Sequence, residues 1–186
     1  MKKLLLLTFS LASFGLFSQS TLKSEQWPSG QMRWQGNVLG NKKDLMLNKG
    51  READVTQEYI KDGKWQYWYE NGTTRGEENY QNDKPVGVWK YWFAGGAISS
   101  EFDFTKNYAI YYYENGKKSS EGTLPADMLR EGKWTGWFES GARQYEGMYS
   151  KGLKDGQWIW YNEKGEITYR QTFKAGDEQG AEKVTQ

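Results

Sequence analysis

The stretch Gly63-Lys64-Trp65-Gln66-Tyr67-Trp68-Tyr69-Glu70-Asn71-Gly72 decides the architecture. Its apolar and aromatic residues alternate up to a terminal Asn-Gly, as a half-buried strand running into a tight turn requires. The template returns as Gly132-Lys133-Trp134-Thr135-Gly136-Trp137-Phe138-Glu139-Ser140-Gly141, and again over 87–96 and 156–165. A copy ending at Gly116 has Ala109 in the tryptophan slot but keeps Tyr112, Tyr113 and Asn115. Worn copies end at Gly30 and Gly50, the latter with Leu45, Met46 and Leu47 at the aromatic positions. Turn glycines thus recur every 20 to 25 residues, at Gly30, Gly50, Gly72, Gly96, Gly116, Gly141 and Gly165. A supersecondary unit repeated at such a period stacks on its neighbours. The expected fold is all-β, an elongated single-layer antiparallel sheet of tandem hairpins. About fourteen strands would make it roughly 60–70 Å long.

Asn71-Gly72 and Asn115-Gly116 predict type I′ turns, in which both central residues need positive φ. A two-residue turn sets the register. It opposes Tyr67 to Gly76, Tyr91 to Ser100, Tyr111 to Ser120 and Gly136 to Tyr145, each a bulky residue against a small one. The last copy departs from this pattern, setting Trp160 against Tyr169. The other face opposes Gln66–Glu77, Lys90–Glu101, Thr135–Glu146 and Ile159–Arg170, and reads as solvated. Eight residues past the turn glycines a second apolar row recurs: Val38, Tyr80, Phe104, Leu124, Tyr149 and Phe173. Residues 126–130 are read as a single helical turn inside a long return loop.

Only 37% of the 186 residues are hydrophobic, yet 17% are aromatic, with 10 Trp and 13 Tyr. Large flat side chains covering a thin layer suit that balance better than a globular aliphatic core does. Lys2-Lys3 followed by an apolar stretch over residues 4–17 reads as a secretory signal peptide spanning 1–20, cleaved after Ser18 or Ser20. The repeat domain then covers 21–176, and 177–186 is a polar C-terminal tail. Removing Lys2 and Lys3 leaves 23 basic against 24 acidic residues, with no basic stripe for nucleic acid. No integral membrane span is expected once the signal is removed. The chain has no cysteine, so an exported fold stands on packing alone.

Histidine is absent too, which removes Ser-His-Asp and Cys-His catalysis and the common zinc sites. Neither a catalytic residue, a metal ligand nor a cofactor site is assigned. Carboxylate pairs such as Glu77 with Glu101, or Glu121 with Glu146, are the enzymatic option left. A glutamate recurring at one repeat position reads better as a solvated sheet face that blocks sheet-on-sheet association. The candidate binding residues are Trp68, Trp92, Trp137 and Tyr161, three positions after the repeat tryptophans Trp65, Trp89, Trp134 and Trp158 and on the opposite face. A single sheet has no second layer for both faces, so this row is either an exposed aromatic ladder or is covered by coiling of the sheet.

The pattern G-x-W-x-x-[WY]-[YF]-x-x-G, with Lys151-Gly152-Leu153-Lys154-Asp155-Gly156-Gln157-Trp158, resembles the MORN-repeat variant of many bacterial proteins. The resemblance covers roughly residues 27 to 176. It implies the elongated sheet already read from spacing, and an association with scaffolding and with protein or membrane contact. Some members carry an antitoxin label, which fits poorly with an export signal. Aromatic hairpins of this kind are also similar to cell-wall-binding repeats that cage choline. Those repeats form a helical solenoid, and the charged second strand here suits the MORN variant better. Three functional expectations result. The first is an exported, non-enzymatic scaffold binding another envelope protein, in the periplasm, on the outer surface or outside the cell. The second is a glycan- or cell-wall-binding module using the aromatic ladder. The third is an antitoxin-like protein. Oligomeric state is left open.

Overall fold

The computed structural model describes residues 20–41 and 59–184. Within them the chain is a single open sheet of fourteen antiparallel strands with no helix. The strands are β1 (Thr21–Gln26), β2 (Met32–Asn41), β3 (Tyr59–Trp68), β4 (Thr74–Gln81), the two-residue β5 (Lys84–Pro85), β6 (Val88–Trp92), β7 (Ile98–Asp103) and β8 (Tyr108–Tyr112). They continue as β9 (Lys118–Thr123), β10 (Glu131–Trp137), β11 (Arg143–Ser150), β12 (Leu153–Tyr161), β13 (Ile167–Lys174) and β14 (Asp177–Lys183). Order in the sheet follows order in the chain, with β5 paired only to β4. The hairpin expected around Gly50 and residues 1–19 of the signal segment lie outside the described residues. β2 pairs directly with β3, so no strand stands between them. The segment read as a polar tail supplies an extra, fully exposed edge strand, β14. Residues 126–130 form no helix; Met128 closes a turn on Pro125 instead.

Every opposition read from the sequence is present: Tyr67–Gly76, Tyr91–Ser100, Tyr111–Ser120, Gly136–Tyr145, Trp160–Tyr169 and the four pairs of the other face. The turns that produce this register differ from the expected ones. Gly72 N–H donates to the Tyr69 carbonyl, and Tyr69 N–H donates to the Thr73 carbonyl. Only Gly72, at φ +84, has positive φ there. This is a three-residue loop, a type I turn closed by a glycine bulge. A second bulge follows, because Trp68 faces Thr74 while Tyr67 faces Gly76. The longer loop and the extra strand residue cancel, which restores the register of a two-residue turn. Asn71 is suited to this loop by its side chain: Oδ1 accepts from Thr73 N–H at 3.0 Å. The type I′ geometry sits at the other edge of the sheet. Asn82-Asp83, Lys151-Gly152 and Ala175-Gly176 have positive φ at both positions, and they connect one hairpin to the next.

The return turns are tied to one another. Asp83 N–H donates to the Lys61 carbonyl, Gly152 N–H to that of Arg130 and Gly176 N–H to that of Lys154. The acidic residue after each cation takes the neighbouring N–H: Asp62 from Asn82, Glu131 from Lys151 and Asp155 from Ala175. The K-D-G element is therefore a clasp between successive repeats.

The core lies on one face without a second layer, because the repeat tryptophans lie flat on the sheet. Trp65, Trp134 and Trp158 are fully buried. Their rings occupy the space above Gly36, Gly122 and Gly147 of the preceding hairpin, where a Cβ has no room. Each indole N–H reaches a backbone carbonyl, from Trp65 to Asn37 at 2.9 Å, Trp134 to Thr123 at 3.0 Å and Trp158 to Met148 at 3.1 Å. Trp89 does the same to Asn79 at 2.9 Å. Ala109 is also fully buried, against Gly122 and in one cluster with Trp134 and Leu124. The small residue there makes space for the next ring.

A cation four residues before three of these tryptophans forms their lid. Lys61 lies over Trp65, Tyr67 and Tyr80. Arg130 lies over Tyr111, Trp134 and Tyr149, and Lys154 over Trp158, Trp160 and Phe173. Cation–π attraction strengthens as such a head group loses water. Burial pushes the Lys154 ammonium below its ordinary pKa. Trp89 has Pro85 at the cation's position, and its ring stands 4.7 Å from Phe104. The equivalent pairs Trp65–Tyr80, Trp134–Tyr149 and Trp158–Phe173 stand at 6.5, 6.0 and 6.2 Å. The inserted cation accounts for that extra spacing.

A carboxylate is buried on this face as well. The buried Glu78 carboxylate accepts from the hydroxyls of Tyr67, Tyr80 and Tyr91 at 2.9, 2.7 and 2.5 Å. Lys61 Nζ stands 3.5 Å from it. Burial, and then the charge of Glu78, drives Tyr80 and Tyr91 far above the ordinary phenol range. Full hydrogen bonding of this kind is what makes a buried charge tolerable.

Candidate functional site: the aromatic row on the glutamate face

The opposite face carries Glu77, Glu101, Glu121 and Glu146 in a row, one per hairpin. Each is held by a lysine: Lys64–Glu77 at 3.1 Å, Lys90–Glu101 at 3.0 Å, Lys118–Glu121 at 2.7 Å and Lys133–Glu146 at 2.9 Å. Burial raises Glu77, but hydrogen bonds from Lys64 and Gln66 outweigh it and leave its pKa below the usual value. Glu146 is lowered by its hydrogen bonds from Lys133 and Tyr161. Both shifts favour the ionised form, the opposite of what a general acid in a glycosidase needs. Among the described residues no group of His, Cys, Asp and Glu gathers as metal ligands would, and no helix is long and apolar enough to cross a membrane.

Because Glu146 titrates below the usual value when folded, it adds stability at pH values above the ordinary carboxylate range. That stability is lost as pH falls through its folded pKa. Glu146→Gln should therefore flatten the acid limb of the stability curve. Thermal denaturation followed by circular dichroism from neutral pH to about pH 3, at low salt, measures it. An unchanged acid limb would show that this carboxylate is not held by its neighbours.

The predicted row Trp68, Trp92, Trp137 and Tyr161 stands at the last position of β3, β6, β10 and β12, four residues before each turn glycine. All four are half-buried, neither core nor fully exposed. Tyr112 occupies the same place at the end of β8 and completes a row of five. Counting from the repeat tryptophan misses it, because Ala109 replaces that marker; counting back from Gly116 finds it. Alternate strands about 4.8 Å apart space the row at roughly 10 Å.

The position of the row is fixed by the preceding hairpin. The Trp68 carbonyl accepts from Trp27 Nε1 at 3.3 Å, the Trp92 carbonyl from the Tyr69 hydroxyl at 2.8 Å and the Trp137 carbonyl from the Tyr113 hydroxyl at 2.7 Å. The two tyrosines in the row are also tethered by their tips. The Tyr112 hydroxyl donates to Glu101 at 3.1 Å, and the Tyr161 hydroxyl to Glu146 at 2.8 Å under the Arg143 guanidinium. Burial and the Glu101 carboxylate push Tyr112 up to about 12. Two of the row's tryptophans border open clefts. Trp92 shares one of about 680 Å³ with Thr73, Glu77 and Lys90, and Trp137 one of about 310 Å³ with Lys117 and Lys118. Tyr161 borders a third of about 290 Å³ with Trp160 and Tyr169. The arrangement offers flat apolar rings at regular intervals between charged rungs, which is a surface for contact.

No curated protein matches the chain. Residues 61–82 and 154–175 match the MORN repeat variant. Each matched segment begins at a caged lysine, Lys61 or Lys154, and ends inside the type I′ return turn that closes the hairpin. These two hairpins match the MORN repeat variant, and of the hairpins between them β10–β11 shares the register, the clasp and the flat-lying tryptophan.

Proposed function

We propose that this protein is an exported, non-enzymatic scaffold of the cell envelope that binds a protein partner along its glutamate face. The row Trp68, Trp92, Tyr112, Trp137 and Tyr161 carries the reading: half-buried rings, regularly spaced, the tryptophans fixed through their backbone carbonyls and the tyrosines through their hydroxyls, on the face that the core does not use. Aromatic anchors set among charged, partly solvated neighbours are the usual energetic centres of protein interfaces. The ion-paired glutamates beside them support recognition over catalysis. The membership of two hairpins in a binding-repeat family supports the same reading, and the charged and apolar N-terminal segment supports export.

The test uses the full chain with a C-terminal tag, expressed in its own cell type, fractionated and cross-linked. The tagged protein should be found outside the cytoplasm with one cross-linked partner. Trp92→Ala and Trp137→Ala should each reduce recovery of that partner about tenfold or more, with an unchanged β-sheet spectrum. Undiminished recovery in both variants, or a purely cytoplasmic protein, would overturn the proposal.

A further inference from the structure

Trp160–Tyr169 is the one opposed pair among the five in which both partners are bulky. Its consequences are local. Tyr169 is 41% exposed, the one tyrosine among the exposed large hydrophobic residues. Trp160 Nε1–H is buried with no acceptor, whereas the four repeat tryptophans all have one. A buried donor without a partner costs free energy and calls for an explanation. Places where a sequence breaks its own packing rule are often functional.

Beside this pair lies the cavity of about 290 Å³. The rings of Phe138, Trp160, Tyr161 and Tyr169 wall it, with the amides of Gln144 and Gln171 and the hydroxyl of Thr168. None of its lining residues is charged. Four other clefts on the sheet each include lysine, and three of those four include a carboxylate as well. Its volume sits at the low end for small-ligand sites, enough for a single ring rather than a peptide strand.

We propose that this cavity is a subsite for one neutral pyranose ring of a saccharide. The C–H face of the sugar stacks on the Tyr169 and Trp160 rings. The two amides, each both donor and acceptor, take neighbouring hydroxyls. A hydroxyl admitted as the exposed Tyr169 ring yields supplies the acceptor that Trp160 Nε1–H lacks. Lys154 already lies over the Trp160 ring at 4.7 Å and repels a second cation, which excludes choline-like ligands. The site meets the row at Tyr161 but lies outside the Trp92 and Trp137 clefts that test the scaffold reading, so the failure of either is separable.

The test is a titration of the ¹⁵N-labelled full-length protein with cellobiose, maltose and N,N′-diacetylchitobiose. It is read at the indole Nε1–H signal that Trp160→Phe removes. At least one sugar should shift that signal saturably and leave the Trp92 and Trp137 indoles in place. Tyr169→Ala and Gln144→Ala should weaken the binding about tenfold, a loss of one stacked ring or one amide contact. No shift with any of the three sugars overturns the proposal, as does equal affinity in Tyr169→Ala. A response confined to Trp92 or Trp137, or one given by choline or inorganic phosphate but by no sugar, overturns it equally.

Discussion

Trp134→Ala is expected to cost about 3–5 kcal/mol, a large fraction of the stability of a chain this size. The Trp134 ring is fully buried and lies in the largest core cluster, among Trp89, Phe102, Ala109 and Leu124. Truncation empties the space over Gly122 and leaves the Thr123 carbonyl without its indole donor. It also removes the ring 4.2 Å beneath the Arg130 guanidinium. No second layer can collapse into the gap, so relaxation is limited. Urea denaturation followed by tryptophan fluorescence and circular dichroism measures the loss. A cost below about 1 kcal/mol would mean that the flat-lying ring is not what joins one hairpin to the next.

Gly122→Ala is expected to cost about 1–3 kcal/mol through a single added methyl group. A Cβ at that position falls 2.5 Å from the Trp134 ring, nearer than any real Cβ contact allows. The ring has nowhere to go, being held by the Thr123 carbonyl on one side and Tyr149 on another. The two substitutions must therefore be coupled. In the Trp134→Ala background the same methyl group meets open space, and alanine is the better strand residue by roughly 0.5–1 kcal/mol. A double-mutant cycle should return a coupling of about 1.5–4 kcal/mol. Equal costs of Gly122→Ala in both backgrounds would separate the glycine from the tryptophan.

This coupling marks the boundary of what could be read from spacing. Oppositions within a hairpin, such as Tyr67 with Gly76, follow from the turn and the two-residue period of a strand, and both are local. Gly122 with Trp134 lies across the junction between hairpins, and no local rule names that partner. The turn type was misread for a related reason. Asn-Gly suits positive φ, but here the asparagine side chain serves the loop through its own hydrogen bond while a bulge takes up the extra residue. The two departures compensate, so the register came out as expected from a turn that is not there. Of the aromatic row, four members were visible by counting from the repeat tryptophan, and Tyr112 was hidden by Ala109. The Glu78 cluster was invisible, since Lys61 and Tyr91 lie 17 and 13 residues away and belong to different hairpins.

The repeat by itself determined that this chain is a row of antiparallel hairpins, which residues face each other within each hairpin and which face carries the charges. Those properties depend on strand period and turn position, and neither needs a third dimension. Tertiary structure alone decided why a single layer has a core at all. Trp65, Trp134 and Trp158 each lie flat over a glycine of the hairpin before them, under a lysine or arginine from their own clasp. That stacking buries rings against backbone and against cations instead of against a second sheet, and it leaves the other face, with its regular row of half-covered rings, available for a partner.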